Sequence, residues 1–489
     1  MRWISFGQIL QQLYTVIEYR ERRRKMTAAE RGIVMKKSLS LKETFFVASM
    51  LFGMFFGAGN LIFPVSMGQL AGSNMWPAAA GFLITGVGLP LLGVAALGIS
   101  RKAGLLELSS MAGRKYGMVF TCALYLTIGP FFAIPRCATV SFTVGLERLL
   151  PGGEHAPALP VFSFIFFAAV LFFSLRPGQI LTWIGKVLNP LFLCFLGILV
   201  IRALLSPMGE IGGGSPEGAY AAQPFVTGFL EGYNTMDALA GLAFGIVIVN
   251  VIRGLGVEQE SAVAGNTVRA GIFSSILMAG IYLLVTVVGA QSRGVFPAGS
   301  NGGEALAQIA EHYFGSAGAV ILAVIVTIAC LKTAVGLITS CGATFERMFP
   351  GSLSYRIWAV VFCLVSFILA NLGLDAIIRY SQPVLMLLYP LAVTLILLTL
   401  SGRFFEYDKV VYQWVTVFTA VAAAVDFFNA LPDGAASALH VDRAAQAAAR
   451  FLPFSGQGFG WVCPAALGLI VGMAVRAVKK RGRQHPGTV

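Results

Sequence analysis

The chain has 489 residues, 57% of them hydrophobic and only 12% charged, with a formal net charge of +13. Its mean hydropathy is +0.79, and apolar stretches of about 20 residues, the length a helix needs to cross a bilayer, recur from end to end. That excludes an ordinary soluble domain, and the clustering of basic residues at the ends of apolar spans points to membrane orientation rather than nucleic-acid binding.

Residues 1–40 are polar and basic, with Arg20, Arg22, Arg23, Arg24 and Lys25 in a run. No apolar core followed by a cleavage site is present, so this is not a signal peptide. Two readings stand. Either the segment is a basic cytoplasmic tail, or translation starts at Met35, because Glu30-Arg31-Gly32 can be encoded by a purine-rich ribosome-binding sequence.

Twelve spans are expected, at roughly 44–70, 77–100, 117–146, 160–176, 180–205, 224–252, 265–290, 316–345, 355–372, 375–400, 409–430 and 457–478. The chain therefore reads as an all-α integral membrane protein. With the N-terminus inside, the even-numbered connections and both tails collect most Lys and Arg, for example Arg101, Lys102, Arg114, Lys115, Lys479, Lys480, Arg481 and Arg483. The facing connections carry few: Arg148, Arg293, Arg443 and Arg450. This asymmetry puts both termini in the cytoplasm.

The first span is interrupted by Phe55-Phe56-Gly57-Ala58-Gly59-Asn60-Leu61-Ile62-Phe63-Pro64. Glycine is poor in a helix interior, and proline removes a donor and clashes with the preceding turn. Backbone groups freed at membrane depth survive only where they line a protein-enclosed cavity, and broken helices of this kind bind small ligands in transporters. A packing face is the other reading, since Gly53 and Gly57 form a small-xxx-small pair. The sixth span breaks too, at Gly232-Tyr233-Asn234-Thr235-Met236-Asp237, and resumes with Gly241 and Gly245. Two discontinuous helices in matching places are the mark of an inverted repeat with its site at the repeat interface. The expected units are 41–205 and 224–400, with two additional helices over 409–478 and a basic tail at 479–489. A short amphipathic helix from Gly302 to Tyr313, with Leu306, Ile309, Ala310 and Tyr313 at helical spacing, is expected over the outer mouth or on the surface.

Ionisable residues inside spans default to function. Arg136 lies in the third span, which Pro130 and Pro135 should kink; Asp237 lies beside the second break and Glu231 just outside it. Arg136 either binds a substrate carboxylate or forms a structural or gating pair with Asp237 or Glu231. Lys332 and Thr333 sit in the eighth span. Catalytic signals are weak: the four histidines, at 155, 312, 440 and 485, fall in loops or tails, and no H-E-x-x-H, G-x-S-x-G or G-x-x-x-x-G-K occurs. The seven cysteines, at 122, 137, 194, 330, 341, 363 and 463, lie in apolar stretches without a C-x-x-C, so neither a disulfide framework nor a zinc site is expected.

Met50 to Pro64 closely resembles the opening span of the bacterial branched-chain amino acid:cation symporters. So do Gly129 to Arg136, Gly232 to Asp237, Phe244 to Asn250 and Ala329 to Leu337. The resemblance covers nearly the whole chain from Met35. It implies the amino acid–polyamine–organocation superfamily and the leucine-transporter fold, with 5+5 inverted repeats, broken first and sixth helices and two extra helices. It further implies inward carriage of leucine, isoleucine and valine with sodium or another cation, no cofactor, no enzymatic activity and a bacterial inner-membrane location. N–H groups around Gly57, Ala58 and Gly59 would hold the substrate carboxylate, and carbonyls of Tyr233, Asn234 and Thr235 its ammonium. Asn60 and Thr235 would contact a cation beside the substrate. Carbonyls of Gly53 and Phe56, with eighth-span hydroxyls such as Thr333, would form a second cation site. Sodium is the only metal implied. Lys332 departs from that pattern, because sodium-coupled relatives of this fold tend to place a neutral residue there. Its ammonium either stands in for the second sodium or turns into a neighbouring gap. The alternatives are a symporter for another neutral amino acid, or an ion channel or sensor on the same fold.

Overall fold

A capping box opens the first helix. Ser40 Oγ accepts from the Glu43 N–H, and Glu43 Oε2 accepts from the Ser40 N–H. One residue earlier, the Leu39 N–H donates to Asn266 Oδ1 at 3.1 Å. The computed structural model describes residues 38–57, 59–100, 102, 104–147, 155–175, 189–432, 434, 437 and 442–484. Residues 1–37 of the expected basic tail, including the Met35 start, and Ala58 lie outside them.

Among the described residues the regular elements are all helical. The first span is α1 (Leu41–Phe55) and α2 (Gly59–Ala71), separated where Phe56 leaves helical geometry at φ −71°, ψ 102°. α3 (Met75–Leu83) and α4 (Leu89–Ser100), joined by a π-helical turn, form the second. A short α5 (Leu105–Ser109) leads to α6 (Arg114–Leu126) and α7 (Ala133–Ser141), the third. The kink expected from the sequence is present here, and Gly129 at its centre leaves helical geometry at φ −105°, ψ −124°. Pro130 has no N–H to give the preceding turn, and glycine tolerates the conformation. α8 (His155–Ser174) and α9 (Asn189–Leu205) follow. The start of the expected fifth span, 180–188, lies outside the described residues.

The sixth span comes after a short α10 (Ala219–Ala222). α11 (Pro224–Glu231) runs into a 3-10 turn, Gly232–Thr235, and Met236 adopts a left-handed φ of 62° before α12 (Asp237–Gly254). The remaining helices are α13 (Glu260–Ser292), α14 (Gly302–Met348), α15 (Tyr355–Ala370), α16 (Leu374–Ser401), α17 (Lys409–Asn429), α18 (Asp442–Arg450) and α19 (Val462–Gln484). Nine stretches among the described residues are long and apolar enough to cross a membrane, and Leu193–Leu205 and Tyr355–Ala370 are shorter apolar helices. Over its described residues, each of the twelve expected spans falls on one of the helices or helix pairs above. Outward side chains such as Phe164, Ile276 and Ile470 are more than half exposed, which in a bilayer means contact with lipid.

Small residues set the closest packing. α2 crosses α13 so tightly that a Cβ on Gly68 would lie 2.1 Å from the Thr286 carbonyl oxygen, and one on Gly289 2.3 Å from that of Val65. α12 meets α4 at Gly241. α17 packs on α16 and α19 on α17, and Phe459, just before α19, meets the Phe229 ring of α11 at 5.0 Å between centres. Within α14, Gly315 kinks the chain at φ 61°, ψ −161°. The expected amphipathic segment before it buries Leu306, Ile309 and Ala310. It seats on α2, where a Cβ on Gly302 would come 1.8 Å from the Ile62 carbonyl oxygen.

Candidate functional site at two facing helix breaks

The backbone freed at the first break is partly recaptured by its own side chain. The Phe56 N–H still reaches the Phe52 carbonyl at 2.8 Å, and its ring stacks on Phe52. Then the helix stops, and the Gly57 N–H donates to Asn60 Oδ1 at 2.7 Å. Asn60 is 2% exposed. Its Nδ2 donates to Asp237 Oδ2 at 2.6 Å and to the Tyr282 hydroxyl. That hydroxyl donates to the same Asp237 oxygen at 2.8 Å. The Asp237 carboxylate is thus held by neutral donors from α2 and α13. It sits at the first residue of α12, where the helix dipole favours negative charge.

The second break folds on itself. Thr235 Oγ1 donates to the Gly232 carbonyl at 2.9 Å, and the Asp237 N–H donates to Thr235 Oγ1 at 3.3 Å. Arg136, from α7, donates through one terminal nitrogen to the Asn234 carbonyl at 2.7 Å. Its guanidinium lies 5.0 Å from the centre of the Phe63 ring. Among the described residues it forms no ion pair with Asp237 or Glu231, so its partner in this structure is backbone. Glu231 ends α11 half-buried. Tyr233 stacks on Tyr389 of α16 at 3.8 Å between ring centres.

A second cluster flanks the end of α1. Lys332 Nζ lies 3.5 Å from the Gly53 carbonyl oxygen. The adjacent Thr333 donates to the Ala329 carbonyl at 3.1 Å, and its methyl would be 3.2 Å from a Cβ on Gly57. The structure therefore gathers Gly57, Gly59, Asn60, Arg136, Asn234, Thr235 and Asp237 between the breaks, with Gly53, Lys332 and Thr333 to one side. Sequence reasoning missed Tyr282, Tyr389 and Phe63. A tyrosine within an apolar run was the available signal for the first two.

Comparison with known proteins agrees with this architecture. The chain matches the family model for "Branched-chain amino acid transport protein" over residues 40–479. It is 51% identical over 450 residues to the branched-chain amino acid permease BrnQ of Lactobacillus delbrueckii subsp. lactis, spanning 92% of this chain and 100% of that one. With the branched-chain amino acid permease BrnQ of Bacillus subtilis (strain 168) it shares 41% identity over 438 residues, spanning 90% and 98%. Its fold is similar to that of Mhp1, a nucleobase-cation-symport-1 family transporter; against the inward-facing conformation the TM-score is 0.59 at 16% identity, covering 89% of this chain and 91% of that one. This is the leucine-transporter fold, with its first and sixth helices interrupted. From the match over nearly its whole length, the chain belongs to the branched-chain amino acid transport protein family, a family of multi-pass membrane transporters and not of enzymes.

Proposed function

We propose that the protein imports leucine, isoleucine and valine across the bacterial cytoplasmic membrane, each together with a cation. The observation that carries this reading is the link from the Gly57 N–H through Asn60 to Asp237 and Tyr282, which ties the two breaks into one polar site. In this reading N–H groups at the start of α2, around Ala58 and Gly59, take the substrate carboxylate. Carbonyls of Tyr233, Asn234 and Thr235 take its ammonium, and Asn60 and Thr235 contact the cation. The helical bundle of the first repeat rocks to expose this site inside, with 409–478 as an added pair and both termini in the cytoplasm. Coupling follows because a cation that orders the broken backbone raises the affinity of a substrate using the same backbone, and the reverse holds equally.

The coupling ion has two readings. Carbonyls of Gly53 and Phe56 with Thr333 offer oxygens for a second sodium. The position of Lys332 Nζ, 3.5 Å from the Gly53 carbonyl, favours a tethered ammonium there and coupling to protons. Leucine uptake into proteoliposomes under imposed sodium or proton gradients tests the whole proposal. Saturable accumulation driven by one of them is the expected result. Accumulation of a different neutral amino acid but not leucine would reassign the substrate, and unsaturable downhill flux would make the protein a channel.

A further inference from the structure

Arg136 stands where the two interruptions face each other. Near the start of α7 it is 3% exposed, and a buried guanidinium is costly unless its donors find acceptors. It has five N–H donors in a planar fork, yet its hydrogen bonding within the described residues is the one contact to the Asn234 carbonyl at 2.7 Å. The Phe63 ring face at 5.0 Å attracts the charge without accepting a conventional hydrogen bond. The Asp237 carboxylate is already engaged by Asn60 and Tyr282. The other terminal nitrogen turns toward the first break: a Cβ on Gly59 would lie 3.4 Å from it and 3.5 Å from Cζ.

Gly59 is the first residue of α2. The unused arm of the fork therefore meets a helix N-terminus, itself a site that favours anions. A guanidinium and the positive end of a helix directed at one spot repel each other unless an anion lies between them.

We infer that Arg136 is a carboxylate ligand of the transported amino acid, binding it together with the N–H groups at the start of α2, while Asn234 fixes the guanidinium. This rests on the reading of the protein as an amino acid carrier and adds the group that makes the α-carboxylate obligatory. Arg136 and an ionised Asp237 together carry no net charge. A zwitterion brings its carboxylate to the guanidinium and its ammonium toward Asp237 and the Tyr233 and Thr235 carbonyls, leaving that of Asn234 to Arg136, and the balance is kept. An amine without a carboxylate sets a second cation beside the first in a water-poor site.

The test is binding of L-leucine and L-leucinol, which keeps the ammonium and loses the carboxylate, to the purified full-length wild type, R136Q and R136K. Losing a charge-assisted hydrogen bond costs roughly tenfold to a hundredfold in affinity. Wild type should prefer leucine by at least that factor. In R136Q leucine binding should fall toward that of leucinol, while leucinol binding holds or improves; R136K should lie between them. An equal loss of both ligands, or an unchanged leucine-to-leucinol ratio in the variants, overturns the assignment. If R136Q does not give a monodisperse protein, the ratio in R136K decides by the same criterion. Wild type that binds no leucine overturns the carrier reading as well, whereas wild type that binds leucine with a ratio surviving in the variants overturns only the role of Arg136.

Discussion

Asn60 reaches from one interrupted helix to the other, accepting the Gly57 N–H at 2.7 Å and donating to Asp237 Oδ2 at 2.6 Å. One side chain thus satisfies the backbone of the first break and the carboxylate that opens α12. Neither break can change conformation without the other feeling it. Asn60→Ala leaves a half-buried N–H without its acceptor and a buried carboxylate short of one donor, a loss of about 1–3 kcal/mol at the carboxylate. The expected outcome is a lower melting temperature for the purified protein and little or no uptake. Asn60→Asp adds repulsion against Asp237 and should be worse at neutral pH, with partial recovery when combined with Asp237→Asn. Wild-type uptake and melting in Asn60→Ala would remove the bridge from the mechanism.

Two glycines on α2 should respond oppositely to a side chain. At Gly68 a Cβ would lie 2.1 Å from a backbone oxygen of α13, which cannot yield without moving the helix. Gly68→Val should fail to accumulate as folded protein. At Gly59 the nearest atoms are the Phe63 ring edge at 3.3 Å and the Arg136 guanidinium at 3.4 Å, side-chain atoms that need give by only a few tenths of an ångström. Gly59→Val should therefore reach the membrane and not transport. Size-exclusion profiles of tagged variants, paired with leucine uptake, separate the two cases. Normal-affinity uptake by Gly59→Val would reduce that glycine to a packing role.

The breaks were legible in the sequence because glycine, proline and asparagine inside an apolar run act on their own backbone, whatever packs nearby. The partner of Arg136 was not: it is the Asn234 carbonyl, and every residue has a carbonyl. Nor was the packing at the kink of the third span. A Gly129-Pro130 pair predicts the kink; the close approach of α14, where a Cβ on Gly129 would lie 2.6 Å from Cys341 Sγ, shows only in the packed fold. Tyr282 and Tyr389 escaped because a single hydroxyl in an apolar helix leaves the hydrophobic pattern unchanged. Their roles arise only when α13 and α16 are brought against the breaks.

Substrate selectivity should be coarse in size and sharp in charge. Apolar pockets discriminate one methylene by about 1–3 kcal/mol, so leucine, isoleucine and valine should compete for uptake within a range of roughly tenfold to two-hundredfold in affinity. Lysine and glutamate would each bury an unpaired side-chain charge, which costs far more. Competition assays with excess unlabelled amino acid measure this directly. Lysine or glutamate competing as well as leucine would mean the substrate class is wrong.

Lys332 decides between the two coupling readings. It lies near the middle of the eighth span, about 15 Å from either interface if the hydrocarbon core is about 30 Å thick, and a lysine stem cannot snorkel that far. Its ammonium must meet oxygens within the protein, and the Gly53 carbonyl lies 3.5 Å away, at the end of α1. Thr333 beside it approaches Gly57 at the break itself. An ammonium held there would neutralise the same carbonyls that a sodium would, but it arrives and leaves by gaining and losing a proton. With the membrane potential fixed, wild-type uptake should then be independent of sodium and driven by a proton gradient. Lys332→Thr removes the tethered charge and restores a hydroxyl, so it should either become sodium-dependent or stop transporting. The competing reading, a lysine packed aside while sodium couples transport, predicts strong sodium dependence in the wild type. If that dependence is found, and Lys332→Thr leaves it unchanged, the ammonium plays no part in coupling.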